Sequence, residues 1–139
     1  MLESLLSGKK NQIGAVTELT SLTLRLSGMR VTEEYELLCN GNETQLNYYQ
    51  MSYSGGAEQK RLMRSAAADT ETVLQKLNEY GVSGWNGFHG AHPKGVKDGT
   101  MFRLEAVVNG EQRITADGSE NFPKRFSDLR RWLEETLGE

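Results

Sequence analysis

The sequence predicts an α+β domain: an antiparallel, meander-like sheet of five or six strands with two main helices packed on one face. Three observations support this prediction. Several segments alternate apolar and polar residues with a period of two, the dipeptides Asn40-Gly41 and Asn109-Gly110 are typical of tight hairpin turns, and two segments show helical periodicity. The chain has 139 residues, a usual length for one domain, so we expect residues 1–139 to form a single domain.

Strands are predicted where apolar side chains recur at every second position. The segments with this pattern are 21–26, 34–39, 44–53, 102–108 and 114–116. In the third of them the apolar phase changes between Tyr48 and Tyr49, which indicates either a β-bulge or two apolar faces. Residues 58–65 fit either a strand or the start of a helix. We favour a strand at the edge of the sheet, because charged side chains protect exposed edges.

Two helices are predicted from apolar stripes with helical spacing. The first begins at Asp69 or Thr70, either of which can cap it, and Gly81 follows at the position where a left-handed residue commonly ends a helix. The second follows residues 121–123. Its apolar face consists of Phe122, Phe126, Leu129, Leu133 and Leu137. Residues 1–12 are predicted to be a lead-in, either a frayed helical turn or a disordered segment.

Composition narrows the classes of function. The chain is 37% hydrophobic and 25% charged with a formal net charge of −3, which is ordinary for a folded domain and argues against intrinsic disorder. The lack of a basic excess argues against nucleic acid as a partner. Cys39 is the only cysteine and lies in the apolar phase of its strand, so we expect a core thiol in a cytoplasmic protein. The alternative is an exported domain whose leader has been removed.

Residues 84–99 are the most unusual stretch, because they are rich in glycine and show no periodicity. The stretch contains Trp85, Phe88, His89, His92, Lys94 and Asp98. Long irregular segments in compact domains are often functional, so these six residues are candidates for a binding site. The alternative interpretation is structural: Trp85 and Phe88 anchor the stretch over the core while the glycines permit a tight path.

His89, His92 and Asp98 also form a candidate metal-ligand set, since two imidazoles and a carboxylate are known ligands of zinc and non-haem iron. A loop does not hold both rings on one face, so we predict neither a metal nor a cofactor here. A metal-binding or metal-assisted hydrolase domain is the alternative function. The glycines precede a strand and not a helix, which excludes a Walker-type phosphate loop, and no serine lies in a G-x-S-x-G elbow. No catalytic residue is predicted.

The last helix offers a second candidate surface. Basic residues flank its apolar stripe, among them Arg125, and Trp132 lies at the margin of the stripe. Tryptophan and arginine are enriched at the energetic centres of protein interfaces, so Arg125 and Trp132 are candidate contact residues. The alternative is a tryptophan packed at the edge of the core beside solvated basic neighbours.

A pattern of glycine, proline and aromatic positions carries a family resemblance. The pattern is Trp85-x-Gly87-Phe88, Asp98-Gly99-x-x-Phe102 and Gly118-Ser119-x-x-Phe122-Pro123-x-x-Phe126, followed by Leu129 and Leu133. It resembles the carboxy-terminal part of small bacterial domains of unknown function, of the Firmicutes type, over residues 84–133. The resemblance implies a bacterial source and no activity, and it assigns no functional residue.

Together these observations predict a bacterial binding or interaction domain without catalytic activity. A protein is the expected partner, and nucleic acid and a membrane span are not expected. The contact surface is expected to combine the 84–99 stretch with the adjacent sheet or the last helix. The candidate contact residues are Trp85, Phe88, His89, His92, Lys94, Asp98, Arg125 and Trp132.

Overall fold

The computed structural model describes residues 13–28, 31–97 and 99–138. The predicted lead-in at 1–12 and the candidate residue Asp98 lie outside the described residues. The strands are β1 Leu19–Ser27, β2 Thr32–Asn40, β3 Glu43–Ser54, β4 Ala57–Asp69, β5 His89–Gly90, β6 Met101–Val108 and β7 Gln112–Ser119. The helices are α1 Thr70–Glu79 and α2 Phe126–Thr136, with a short 3-10 helix at Val82–Trp85.

The strands form one sheet in the order β4-β3-β2-β1-β6-β7-β5. Every neighbouring pair is antiparallel except β5 and β7, which are parallel. The predicted α+β class is therefore confirmed, and the predicted five or six antiparallel strands are close but not exact: the sheet has seven strands and is mixed. The missed strand, β5, has only two residues, and a period of two is not visible over that length. The ambiguous segment at 58–65 belongs to β4, at the edge of the sheet.

One face of the sheet carries the core. Alternate strand residues are buried on this face, as the periodicity predicts, and both helices cover it. The strands contribute Leu22, Leu24, Leu26, Tyr35, Leu37, Leu46, Phe102, Leu104, Ala106 and Ile114, and the helices contribute Val73, Leu77, Phe126, Leu129 and Leu133. Each fully buried aliphatic side chain stabilises the fold by about 1.5–3 kcal/mol relative to exposure. Cys39 is half-buried against the same cluster.

The opposite face of the sheet is here called the open face. The register between β3 and β4 shifts at Tyr48 and Tyr49, but the extra residue, Met63, belongs to β4, and β3 pairs with β2 without a shift. The change of apolar phase in β3 therefore corresponds to the second predicted alternative, a strand with apolar residues on both faces, and the bulge lies in β4. The hairpin formed by β3 and β4 curls over the open face, since Glu58 of β4 pairs with Arg25 of β1 although two strands separate them.

The 84–99 stretch covers the other edge of the sheet. The amide of Gly87 donates to the carbonyl of Thr115 (2.8 Å), and the amide of Asp117 donates to the carbonyl of Phe88 (3.0 Å). The side-chain oxygen of Asn86 accepts from the amide of Thr115 at 2.9 Å. The expectation of an irregular stretch is therefore corrected: its first half completes the 3-10 helix, bonds to β7 and forms β5. These contacts satisfy backbone groups that an uncovered edge would leave exposed.

Candidate functional site

The open face contains a cavity of about 420 Å³ at the end of the sheet where β1 ends and β6 begins. Both histidines of the 84–99 stretch line it, so we call it the histidine cavity. Its walls also include two arginines, an aspartate and two serines, of which Ser27 is described below with its strand neighbours. Apart from Ser27, these residues are Arg25, Arg103, Asp117, Ser119, His89 and His92. The cavity therefore brings both predicted loop histidines together with four strand residues that the sequence did not single out.

The strand register explains why these side chains meet. In the register of the strands, Arg25 lies opposite Arg103, Arg103 opposite Asp117, and Asp117 opposite His89. These four side chains therefore form one row across β1, β6, β7 and β5. Two positions farther along, a second row crosses β1, β6 and β7. Its members are Ser27, Met101 and Ser119. Residues two apart on a strand point to the same face, so both rows line the cavity.

The two arginines dominate the electrostatics of the first row. Arg25 and Arg103 are directly opposite each other, an arrangement in which like charges repel. Each is balanced by carboxylates at the rim: Glu58 pairs with Arg25, and Glu105 accepts from Arg103 Nε at 2.8 Å. The Arg25 guanidinium holds the pKa of Glu58 below its ordinary value. Asp117 lies farther from Arg103, at 3.9 Å.

His89 extends the first row from β5. Its Nδ1 lies 2.5 Å from Asp117 Oδ1. A carboxylate only accepts hydrogen bonds, so Nδ1 carries the proton and Nε2 of the neutral ring remains an acceptor. The His89 side chain is 76% exposed. It therefore presents a ring nitrogen to whatever enters the cavity.

His92 is held by a different pair of partners. Its Nε2 lies 2.5 Å from the carbonyl oxygen of Val96, and its Nδ1 lies 2.7 Å from Ser119 Oγ. A carbonyl oxygen only accepts, so Nε2 carries the proton. In the neutral ring Nδ1 is then unprotonated and accepts the hydroxyl proton of Ser119. The bond from Nε2 to the Val96 carbonyl therefore leaves Nδ1 as the ring nitrogen that accepts from Ser119.

The structure describes two of the three candidate metal ligands, His89 and His92. Both ring nitrogens of His92 are engaged by protein atoms, which leaves no lone pair for a metal. Within residues 13–28, 31–97 and 99–138, no three histidine, cysteine or acidic side chains are grouped so as to hold a metal ion. Asp98 lies outside that part of the chain, so its contribution stays a prediction.

The aromatic residues of the 84–99 stretch have a structural place. Trp85 is 5% exposed and its ring centroid lies 5.9 Å from that of Phe126. Phe88 is half-buried, 6.1 Å from the Phe102 ring. The structural interpretation of these two residues is therefore the one that the packing supports. Lys94 is exposed and is not among the residues that line the cavity.

The last helix is tied to α1 and does not share the histidine cavity. Arg125 adopts a left-handed conformation (φ 68°) and donates to the carbonyl of Glu79 at 2.8 Å and to Asp128 at 2.9 Å. It also lies over the Tyr80 ring, 5.1 Å from the centroid. Trp132 is half-buried against the core. The predicted contact residues therefore do not form one surface.

A second, shallow cavity of about 510 Å³ has a different set of the candidate contact residues in its wall. Trp85, Phe88 and Arg125 contribute to its wall, whereas neither loop histidine does. A third, of about 210 Å³, lies on the core side of the sheet next to α2. There the Tyr35 hydroxyl donates to Glu134 at 3.2 Å and the Tyr48 hydroxyl donates to Glu33 at 2.5 Å. These groups satisfy one another and form a structural network.

Sequence reasoning missed the four strand residues of the histidine cavity, and one signal pointed towards them. Arg25, Arg103, Asp117 and Ser119 all occupy the polar phase of alternating strands. That phase showed that they share the open face. It did not show that β1, β6 and β7 are neighbours.

No protein-family model matches the chain, and a search of curated proteins finds no similar sequence. The resemblance to small bacterial domains therefore stays a prediction. In the part of the chain that the structure describes, no helix combines the length and the apolar character that a membrane crossing requires.

Proposed function

We propose that the protein is a binding domain whose partner places an acidic group between Arg25 and Arg103 in the histidine cavity. The observation that carries this proposal is the pairing of the two arginines, directly opposite each other and both lining the cavity. Guanidinium groups bind carboxylates through parallel, charge-assisted hydrogen bonds. A carboxylate between them also relieves the repulsion of two like charges on adjacent strands.

The internal carboxylates do not prevent such binding. The Arg25 and Glu58 side chains are each 35% exposed, and Arg103 is 59% exposed. Ion pairs at this exposure are screened by solvent and contribute little net stability. Exchanging one of them for the carboxylate of a partner therefore costs little. The exposed ring of His89 supplies a further polar contact.

The surroundings of the cavity favour a protein as the partner. Met101, which lines the cavity, is 55% exposed, and Val96 beside His92 is 39% exposed. Methionine and arginine are enriched at the centres of protein interfaces. The cavity is open to solvent, so it suits side chains presented by another surface. The partner we propose is a protein segment with an acidic residue next to an apolar one.

Selection from a random-peptide display library tests this proposal. We expect enrichment of peptides in which Asp or Glu adjoins an apolar residue. Affinity for a selected peptide should fall about tenfold or more in Arg25→Gln and in Arg103→Gln, because each variant removes a charge-assisted contact. Arg113→Gln is the matched control, since Arg113 is an exposed arginine on the open face of β7 that does not line the cavity.

The proposal fails if the selected peptides show no acidic preference. It also fails if Arg103→Gln binds a selected acidic peptide as tightly as the unmodified protein does. Equal losses in Arg103→Gln and Arg113→Gln would show that binding depends on total charge and not on this cavity.

A further inference from the structure

The geometry points to a second property of the same cavity: the Ser119 hydroxyl is a nucleophile that His92 activates for acyl transfer. This inference goes beyond the proposed binding function; its substrate class rests on the arginine pair of that function, whereas the activation of Ser119 and its labelling test do not. It rests on the bond between Ser119 Oγ and His92 Nδ1 (2.7 Å) and on the bond from His92 Nε2 to the Val96 carbonyl (2.5 Å). The second bond fixes the tautomer that makes the first nitrogen a base.

The arrangement has the parts that an activated hydroxyl needs. The base is oriented by a third group, here a backbone carbonyl, and the nucleophile and the base both line a cavity that a reactant can enter. Ser119 is half-buried, so its hydroxyl is partly withdrawn from competing water. Ser27 provides a comparison in the same row. It lines the same cavity, and its hydroxyl has no hydrogen-bond partner among the described residues.

The reaction class is the hydrolysis of an ester. Ser119 Oγ attacks the carbonyl carbon of the ester while the hydroxyl proton passes to His92 Nδ1. The bond from the carbonyl carbon to the leaving oxygen then breaks, and His92 returns the proton to that oxygen. His92 Nδ1 then takes a proton from water, whose oxygen attacks the carbonyl carbon of the acyl-serine. The bond from that carbon to Ser119 Oγ breaks, the acid leaves, and His92 returns the proton to Oγ.

The cavity also indicates which ester suits it. Arg103 is the diagonal neighbour of Ser119 on the adjacent strand, a separation of roughly 7–8 Å that a long side chain spans. Its guanidinium is therefore placed to stabilise negative charge that develops on the carbonyl oxygen. Arg25 lies beyond it and suits a carboxylate on the acyl group. The substrate class is an ester of a small dicarboxylic acid.

Labelling of the whole chain with a fluorophosphonate tests the inference. The reagent forms a bond from serine Oγ to phosphorus and releases fluoride. We expect one adduct by intact mass, mapped to Ser119 and not to Ser27. His92→Gln should slow the labelling by about 100-fold or more, because glutamine can keep a hydrogen bond to the hydroxyl but is not a base.

A second measurement separates activation from accessibility. In Ser119→Cys the thiol should react with iodoacetamide faster than it does in the double variant Ser119→Cys, His92→Gln. The absence of an adduct on Ser119 in the unmodified protein overturns the inference. Equal labelling of Ser27, or a His92→Gln variant that is labelled at an unchanged rate, overturns it as well, since either result reduces the Ser119–His92 contact to a structural bond.

Discussion

Asn109 connects the segment before β1 to the hairpin of β6 and β7, and its replacement should destabilise the fold. Its side-chain oxygen accepts from the Thr17 amide (2.7 Å), the Thr17 hydroxyl (3.1 Å) and the Glu18 amide (3.1 Å). Its side-chain amide donates to the carbonyl of Ala15 at 3.0 Å and to Gln112 Oε1 at 3.2 Å. Asn109 also has a φ of 50°, in the left-handed region. One residue therefore closes the turn and holds a distant segment.

Two substitutions separate these contributions. Asn109→Gly accepts the positive φ and removes the five side-chain bonds. At the low end of the usual range, about 0.5 kcal/mol for each solvent-accessible bond, the free energy of unfolding falls by about 2.5 kcal/mol. Asn109→Ala loses the same bonds and also places an ordinary residue in the left-handed region, which costs about 1 kcal/mol more. The expected order of stability is unmodified protein, Asn109→Gly, then Asn109→Ala.

Urea unfolding followed by tryptophan fluorescence measures both changes. Asn40→Ala is the matched control: Asn40 also precedes a glycine at a hairpin, but it is exposed and is not among the described residues with positive φ. Its replacement should change the free energy of unfolding by less than about 0.5 kcal/mol. If Asn109→Gly is as stable as the unmodified protein, the five side-chain bonds do not contribute, and the reasoning from distances is wrong.

Three further predictions use other parts of the molecule. A Cβ atom at Gly118 would lie 2.2 Å from the Asn121 carbonyl oxygen, so Gly118→Ala should cost about 3 kcal/mol in urea unfolding, whereas Gly84→Ala, which meets no atom within 4 Å, should cost little. Burial raises the pKa of Tyr35 well above its ordinary 10.0. The free energy of unfolding should therefore fall as the pH rises above 10, because the unfolded state loses the phenol proton first. Tyr35→Phe should make this fall smaller in urea unfolding. Glu58→Gln removes the internal competitor for the cavity and should tighten binding of a selected acidic peptide, and unchanged or weaker binding would contradict the proposed site.

Local periodicity determined most of the elements. Side chains alternate along a strand and repeat every 3.6 residues along a helix, so the apolar pattern alone indicated which residues of β1 or α2 face the core. The Asn-Gly turn at 109–110 was also predictable, because few residues adopt a positive φ readily. The change of apolar phase at Tyr48 indicated two alternatives, and the regular pairing of β3 with β2 corresponds to the one with two apolar faces.

The candidate site was predictable only in part. The stretch with both histidines was recognised from its composition, and its histidines do line the cavity. The same composition makes the aromatic residues of the stretch candidate contacts as well, but Trp85 is buried. A tryptophan between glycines gives no periodic signal, so burial and exposure cannot be distinguished before the packing is known.

The sequence by itself thus determined the α+β class, the two faces of the longer strands and the position of the unusual stretch. Only the tertiary structure decided the order of the strands, the parallel pairing of β5 and the contact between Ser119 and His92, which are 27 residues apart. The physical reason is that local patterns record which way a side chain points. Which side chains meet depends on how all the strands pair and pack together, and no local segment contains that information.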